Sequence, residues 1–261
     1  MASSSQQSIT VSGCKVNLYR GGEGPPLLFL HGGAGNAAWM PFMSRLSDRF
    51  DVIAPSHPGF DASDTPDWLD SMSDLAMFYL DFLEAMDLRG VHLVGHSLGG
   101  WLAAEVAVRS SERLKTLTLV SAAGIHVQGV PKGDVFLWTP EQVVRNLFFD
   151  KARAEALLGM PQTSEQLDVA LKNRFATAKL AWNPRFFSPD LRKWLHRIRM
   201  PTLILWGDSD MILPAAYGEA WHGLIAGSSL RIYDRCGHLP HVERLDDFVA
   251  DVTAHINGAA R

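Results

Sequence analysis

The chain has 261 residues, 47% apolar and 20% charged, and its 24 Lys and Arg against 28 Asp and Glu give a formal charge of −4. This ordinary globular composition, with length enough for a substantial core, excludes a disordered chain, a coiled coil and a collagen-like repeat. No long basic run points to a nucleic-acid partner, and the longest apolar runs, Leu27 to Leu30 and Leu203 to Trp206, are too short to span a bilayer.

The polar start, MASSSQQSIT, carries neither the basic region nor the apolar stretch of a leader. Residues 1–8 are therefore expected as a mobile tail, and a cytoplasmic location is the default. Two cysteines, Cys14 and Cys236, are too few for a disulfide framework and form no metal-binding pair. Strand-like runs follow at 9–11 and 16–19, parted by Ser12-Gly13, and then at 27–30 after a turn rich in Gly and Pro. A helix over about 38–48 leads to a strand at 51–54. Ser73 can cap the next helix, whose Leu75, Phe78, Tyr79, Phe82, Leu83 and Met86 keep helical spacing. Strands at 91–94 and 117–120 flank a helix bearing Leu98, Trp101, Leu102 and Val106. Two more strands, at 202–206 and 230–233, precede a final helix with Leu245, Phe248, Val249, Val252 and Ile256 on one stripe. Strands alternating with helices predict an α/β fold whose mostly parallel sheet is covered on both faces.

The rhythm breaks between Gly124 and Arg199. That segment has no convincing strand yet is dense in aromatic side chains, and it is too long for a simple connection. It reads as a helical cap or lid at 124–199 inserted into a core formed by 9–123 and 200–261. Most of its aromatic residues suit the insertion's own small core. Trp138, Phe148, Phe149 and Trp182 are the candidates for facing a substrate.

The sharpest chemical feature is Gly95-His96-Ser97-Leu98-Gly99-Gly100, between a strand and a helix. A serine on so tight a turn projects its hydroxyl away from the backbone, and strand and helix approach so closely that the flanking positions must be small. Backbone N–H groups at the helix start favour negative charge nearby.

On four segments the chain resembles the α/β-hydrolases: His31-Gly32-Gly33, Gly95-His96-Ser97-Leu98-Gly99, Gly207-Asp208-Ser209-Asp210 and Cys236-Gly237-His238. They stand in that family's order, each at the end of a predicted strand, and the likeness runs nearly the whole length. The resemblance implies an eight-stranded, mostly parallel sheet with an inserted lid. It also implies Ser97 as nucleophile, Asp210 as acid and His238 as base. The oxyanion donors it implies are the backbone N–H groups of Leu98 and Gly33, with Ala34 an alternative to Gly33 because the loop Gly32 to Gly35 leaves the register open.

Each assignment has competitors in the sequence. Asp208 competes with Asp210 and reads better as a loop cap; the segment Ser121-Ala122-Ala123-Gly124 offers no other carboxylate. His241 competes with His238 and reads as a surface or loop-packing histidine. The pair His238 and His241 lacks an HExxH helix or a third ligand, so neither a metal nor another cofactor is expected. His57 is a polar group at the pocket rim or without a role. Cys236 is better read as a small packed residue than as a second nucleophile.

A serine at this turn argues against the family's dehalogenases and epoxide hydrolases, which use aspartate there. What remains is hydrolysis of esters, thioesters, lactones or amides, or cleavage of carbon–carbon bonds in dienoic ketones. Perhydrolysis and a non-catalytic ligand receptor also stay open. A carboxylic-ester hydrolase leads, with a small-molecule apolar ester as the expected partner. Arg145, Arg174 and Arg185 could meet a substrate carboxylate but read as surface residues. The sequence leaves the oligomeric state open.

Overall fold

A computed structural model describes residues 4–259 of the chain. The strands are β1 (Ser4–Val11), β2 (Cys14–Gly21), β3 (Pro26–Leu30), β4 (Asp51–Pro55), β5 (Val91–His96), β6 (Leu114–Val120), β7 (Thr202–Gly207) and β8 (Ser229–Tyr233). The helices are α1 (Pro41–Leu46), α2 (Met72–Ala85), α3 (Leu98–Arg109), α4 (Pro140–Leu147), α5 (Lys151–Leu158), α6 (Ser164–Ala181), α7 (Leu191–Trp194), α8 (Ala216–Leu224), α9 (Pro240–Glu243) and α10 (Leu245–Gly258). The strands form one sheet in the order β1-β2-β4-β3-β5-β6-β7-β8. The pairs β1/β2 and β2/β4 are antiparallel and all others parallel.

Period-two alternation sends successive strand residues to two cores. Val91 and Leu93 of β5 join the layer under α2, α3 and α8, built on Leu75, Tyr79, Phe82, Trp101 and Trp221. Val94 of the same strand joins the opposite layer, where α1 supplies Phe42, Met43 and Leu46 and α10 supplies Phe248, Val252 and Ile256. The order of strands reverses at β3, which has β4 on one side and β5 on the other. In a mostly parallel sheet, a crevice opens beyond the strands' carboxyl ends at such a reversal.

Two sequence expectations need correction. Residues 4–8 are not a mobile tail: Ser4 to Ser8 pair with Gly21 to Asn17 across β1/β2, while residues 1–3 lie outside the described residues. Their side chains are exposed, so backbone pairing rather than apolar burial holds them, and a hydrophobic pattern cannot reveal them. The cap of α2 is Ser71, whose hydroxyl accepts from Asp74 N at 3.2 Å. Ser73 lies inside the first turn and accepts from Arg109 Nη2.

Between β6 and β7 the chain builds α4 to α7 and no strand. Among the described residues no helix is long and apolar enough to cross a membrane.

Candidate active site

Ser97 joins β5 to α3 with φ +53° and ψ −115°, a conformation costly for a residue with a side chain. Backbone bonds hold it there: Ser97 N donates to Val120 O, and Ser97 O accepts from Gly100, Trp101 and Ala123. The flanking glycines are a steric necessity. A Cβ on Gly95 would stand 2.2 Å from Gly99 O, and one on Gly99 would stand 2.1 Å from Leu30 O.

His238, on the loop after β8, places Nε2 2.9 Å from Ser97 Oγ and Nδ1 2.7 Å from Asp210 Oδ2. Asp210 follows β7 and is itself immobilised, because its Oδ1 accepts from Ile212 N and Leu213 N, both at 2.9 Å. His238 and Asp210 are each 3% exposed, so water does not compete for their contact. With Nδ1–H donated to the carboxylate, Nε2 is left to accept from the serine hydroxyl. Asp208 turns elsewhere: its Oδ1 accepts from Cys236 N and Ser209 Oγ.

The loop bearing His238 is held from behind. His238 N donates to Leu147 O at the end of α4. Glu243 accepts from Gly237 N at 2.7 Å and from Phe149 N and Asp150 N. His96 Nε2 lies 2.9 Å from the carbonyl oxygen of His238. Burial, then the neighbouring His241 and His238, hold His96 well below the ordinary histidine pKa, so near neutrality it is an uncharged donor to that carbonyl.

Gly32 packs against Ser97, since a Cβ there would lie 3.2 Å from Ser97 Cβ. Its carbonyl oxygen is directed away, accepting from Gly35 N at 3.1 Å and lying 2.7 Å from His31 Nδ1. In a trans peptide the N–H points opposite to the C=O, so the N–H of Gly33 is turned the other way. Among the described residues neither Gly33 N nor Leu98 N donates to another group.

Beneath this loop His31 and His57 stack with ring centroids 3.7 Å apart. His57 N donates to His31 Nε2, and the His57 ring bridges His31 O and the Tyr79 hydroxyl. His57 is fully buried, so it is no rim residue. Burial above all, and then His31, pushes its pKa well down.

His241 is likewise buried rather than on the surface, with its ring edge-on to Phe42. Cys236 is fully buried, and burial followed by Glu243 raises its thiol to about 12. Such a thiol holds almost no thiolate near neutrality.

The four aromatic pocket candidates do not form one group. Trp138 packs over Gly133, where the Met211 carbonyl also approaches. Phe148 is buried next to Leu147, the carbonyl partner of His238. Phe149 instead faces Arg235 at 5.6 Å, in an outer cleft of about 470 Å³ with Arg153, Glu243 and Arg244. Trp182 is 53% exposed and stacks on Arg185, whose guanidinium carbon is 4.1 Å from the ring centre. The arginines are engaged: Arg145 pairs with Glu155, Arg185 with Asp134, and Arg174 donates to Phe136 O.

The sequence reading missed Asp61, Asn173 and Thr177, which tie the loop after β3 to α6. Thr177 Oγ1 donates to Gly33 O, and Asn173 Nδ2 donates to both Ala34 O and Asp61 Oδ1. No spacing signal marks a contact such as Asp61 to Asn173, 112 residues apart.

The family profile for the alpha/beta hydrolase fold matches residues 25–245. The 2-hydroxy-6-oxo-2,4-heptadienoate hydrolase of Pseudomonas putida is 28% identical over 257 residues, covering 92% of each chain. Lipase 1 of Psychrobacter immobilis is 28% identical over 235 residues, covering 86% of this chain and 74% of the lipase. The crystal structure of a membrane phospholipase A, a bacterial virulence factor, superposes with a TM-score of 0.80 at 27% identity, covering 99% of this chain and 87% of that one.

Proposed function

As this chain belongs to the α/β-hydrolase fold family, we propose that it is a serine hydrolase cleaving carboxylic esters of small-to-medium apolar substrates. The observation that carries the reading is the single line of contacts from Ser97 Oγ through His238 to Asp210, at 2.9 and 2.7 Å.

In the proposed cycle Ser97 Oγ attacks the ester carbonyl carbon while His238 Nε2 takes its proton. Asp210 keeps the imidazole in the productive tautomer and stabilises the cation. The carbonyl oxygen, now an oxyanion, accepts from Gly33 N–H and Leu98 N–H. Ala34 N–H, like Gly33 N–H without a partner among the described residues, is the alternative second donor. As the C–O bond of the leaving alcohol breaks, Nε2 returns the proton to that oxygen and an acyl-enzyme remains. Water then attacks the acyl carbon, giving its proton to Nε2, and Ser97 leaves with that proton. The products are an alcohol and a carboxylic acid.

Residues 124–199 would cap the site, with Trp138 and Phe148 as apolar walls. Phe149 and Trp182 face outward and are less suited to that role. A carbon–carbon bond hydrolase is the second reading, favoured by the end-to-end match with the Pseudomonas putida enzyme.

The test is kcat/KM for p-nitrophenyl esters from acetate upward, beside a 2-hydroxy-6-oxo-dienoate, for the wild type and Ser97→Ala. The ester reading expects turnover of a short or medium ester that Ser97→Ala abolishes. Turnover of the dienoate alone would replace it with the second reading. Inertness towards every substrate would remove both.

A further inference from the structure

The loop that offers the Gly33 N–H holds three glycines, Gly32, Gly33 and Gly35, within four residues. Such a segment has wide backbone freedom and does not by itself hold one donor in a fixed direction. Stabilising an oxyanion needs donors aimed before the charge develops. We propose that Asn173 and Thr177 of α6, with Asp61, are positioning residues that set the oxyanion hole, so that α6 is a fixed brace rather than a moving flap. This inference rests on the reading of Ser97 as an acylated nucleophile.

The ties are closely matched. Asn173 and Thr177 are four residues apart on one face of α6, 3% and 5% exposed. Thr177 Oγ1 donates to Gly33 O at 2.9 Å and Asn173 Nδ2 to Ala34 O at 2.9 Å, so both carbonyls of the loop turn towards α6. Pinning Gly33 O fixes the torsion that follows Gly33, while Gly32 O, held by Gly35 N and His31 Nδ1, orients the peptide that carries the Gly33 N–H.

Asp61 completes the clamp. It and Asn173 exchange two hydrogen bonds, Asp61 N to Asn173 Oδ1 at 2.7 Å and Asn173 Nδ2 to Asp61 Oδ1 at 2.8 Å. The other carboxylate oxygen accepts from Asn36 N at 2.7 Å, at the far end of the loop, and from Ser56 Oγ. Asp61 sits at φ +48°, a strained backbone for a residue with a side chain, yet is only 8% exposed. Lys172, next to Asn173, donates to Asp61 O and Ser63 O. Lifting α6 would break these bonds together and leave buried polar groups unpaired. Substrate access through a hinge at α6 is therefore incompatible with an assembled hole.

The deciding experiment compares Thr177→Val, Thr177→Ser and Asn173→Ala with wild type on the best p-nitrophenyl ester. It also measures inhibition by a trifluoromethyl ketone, to whose carbonyl Ser97 Oγ would add to give a hemiketal anion resembling the tetrahedral intermediate, and by the product carboxylate. Thr177→Val keeps the shape and removes the donor. It is expected to lower kcat roughly tenfold, and Asn173→Ala roughly a hundredfold, with KM within about threefold. Trifluoromethyl ketone affinity should fall by the same factors while carboxylate affinity holds, and Thr177→Ser should recover most of the rate. Folded Thr177→Val and Asn173→Ala enzymes with wild-type kcat, or with the loss confined to KM, would overturn the inference and leave the serine mechanism standing. A wild type inert to every ester and to a fluorophosphonate would sink both.

Discussion

Replacing Asp210 by asparagine keeps the shape of the acid and reverses one hydrogen-bond direction. Oδ1 of Asp210 accepts two backbone N–H groups, from Ile212 and Leu213, at 2.9 Å each. The amide oxygen of the variant must occupy that place. The reverse orientation would set an NH2 against two buried donors, at about 1–3 kcal/mol for each donor left unmet. The amide NH2 is thus delivered to His238 Nδ1, now 2.7 Å from Oδ2. Nδ1 must then accept, the ring proton moves to Nε2, and Nε2 can no longer take a proton from Ser97 Oγ. Loss of the productive tautomer costs roughly 10⁴ in kcat, or about 5.5 kcal/mol of barrier. The assay is kcat on the best ester for Asp210→Asn, with the urea midpoint as control for folding and imidazole 15N shifts reporting the tautomer. A folded variant within tenfold of wild type, or one whose ring keeps its proton on Nδ1, would refute the reasoning.

Three other substitutions have signed outcomes. Gly99→Ala forces a Cβ to 2.1 Å from Leu30 O, whereas Gly223→Ala in α8 meets nothing within 4 Å. Urea unfolding should show the first losing roughly 3 kcal/mol or failing to fold, and the second unchanged or gaining up to about 1 kcal/mol. Burial, then His238, lowers the pKa of His241 to about 3 from an ordinary value of 6.5, and His31, His57 and His96 shift the same way. Each is buried neutral, so below pH 6.5 the unfolded chain binds more protons and stability falls as pH drops towards the folded pKa. At pH 5 the His241 contribution is about 2 kcal/mol. His241→Leu should shrink the stability difference between pH 7.5 and pH 5 by that amount, and parallel pH curves for variant and wild type would contradict it.

The readable parts of this molecule are those fixed by local chemistry. The turn at Ser97 declares itself because Gly95 and Gly99 cannot carry a Cβ there. Asp210 follows β7, whose apolar run is plain in the sequence, and His238 follows the shorter, mostly exposed β8. What stayed hidden depends on partners distant in the chain. β1 is held through its backbone, with mostly exposed side chains, so its polar residues give no burial pattern. His57 reads as a rim residue or one without a role, and only stacking on His31, 26 positions earlier, carries it inside. Asp61 and Asn173 belong to separate segments that meet only when α6 docks on the loop after β3. Aromatic content offered Phe149 and Trp182 as pocket walls, but composition does not say which way a ring points, and these two face outward.

Treatment of the intact protein with a fluorophosphonate, read by whole-protein and peptide mass spectrometry, asks whether His238 and Asp210 activate Ser97. One phosphonyl group per chain should appear on Ser97, with none on folded Ser97→Ala and a rate reduced by roughly a thousandfold or more in His238→Ala. A folded wild type that stays unlabelled, or that is labelled equally when Ser97 is replaced, would contradict the serine mechanism.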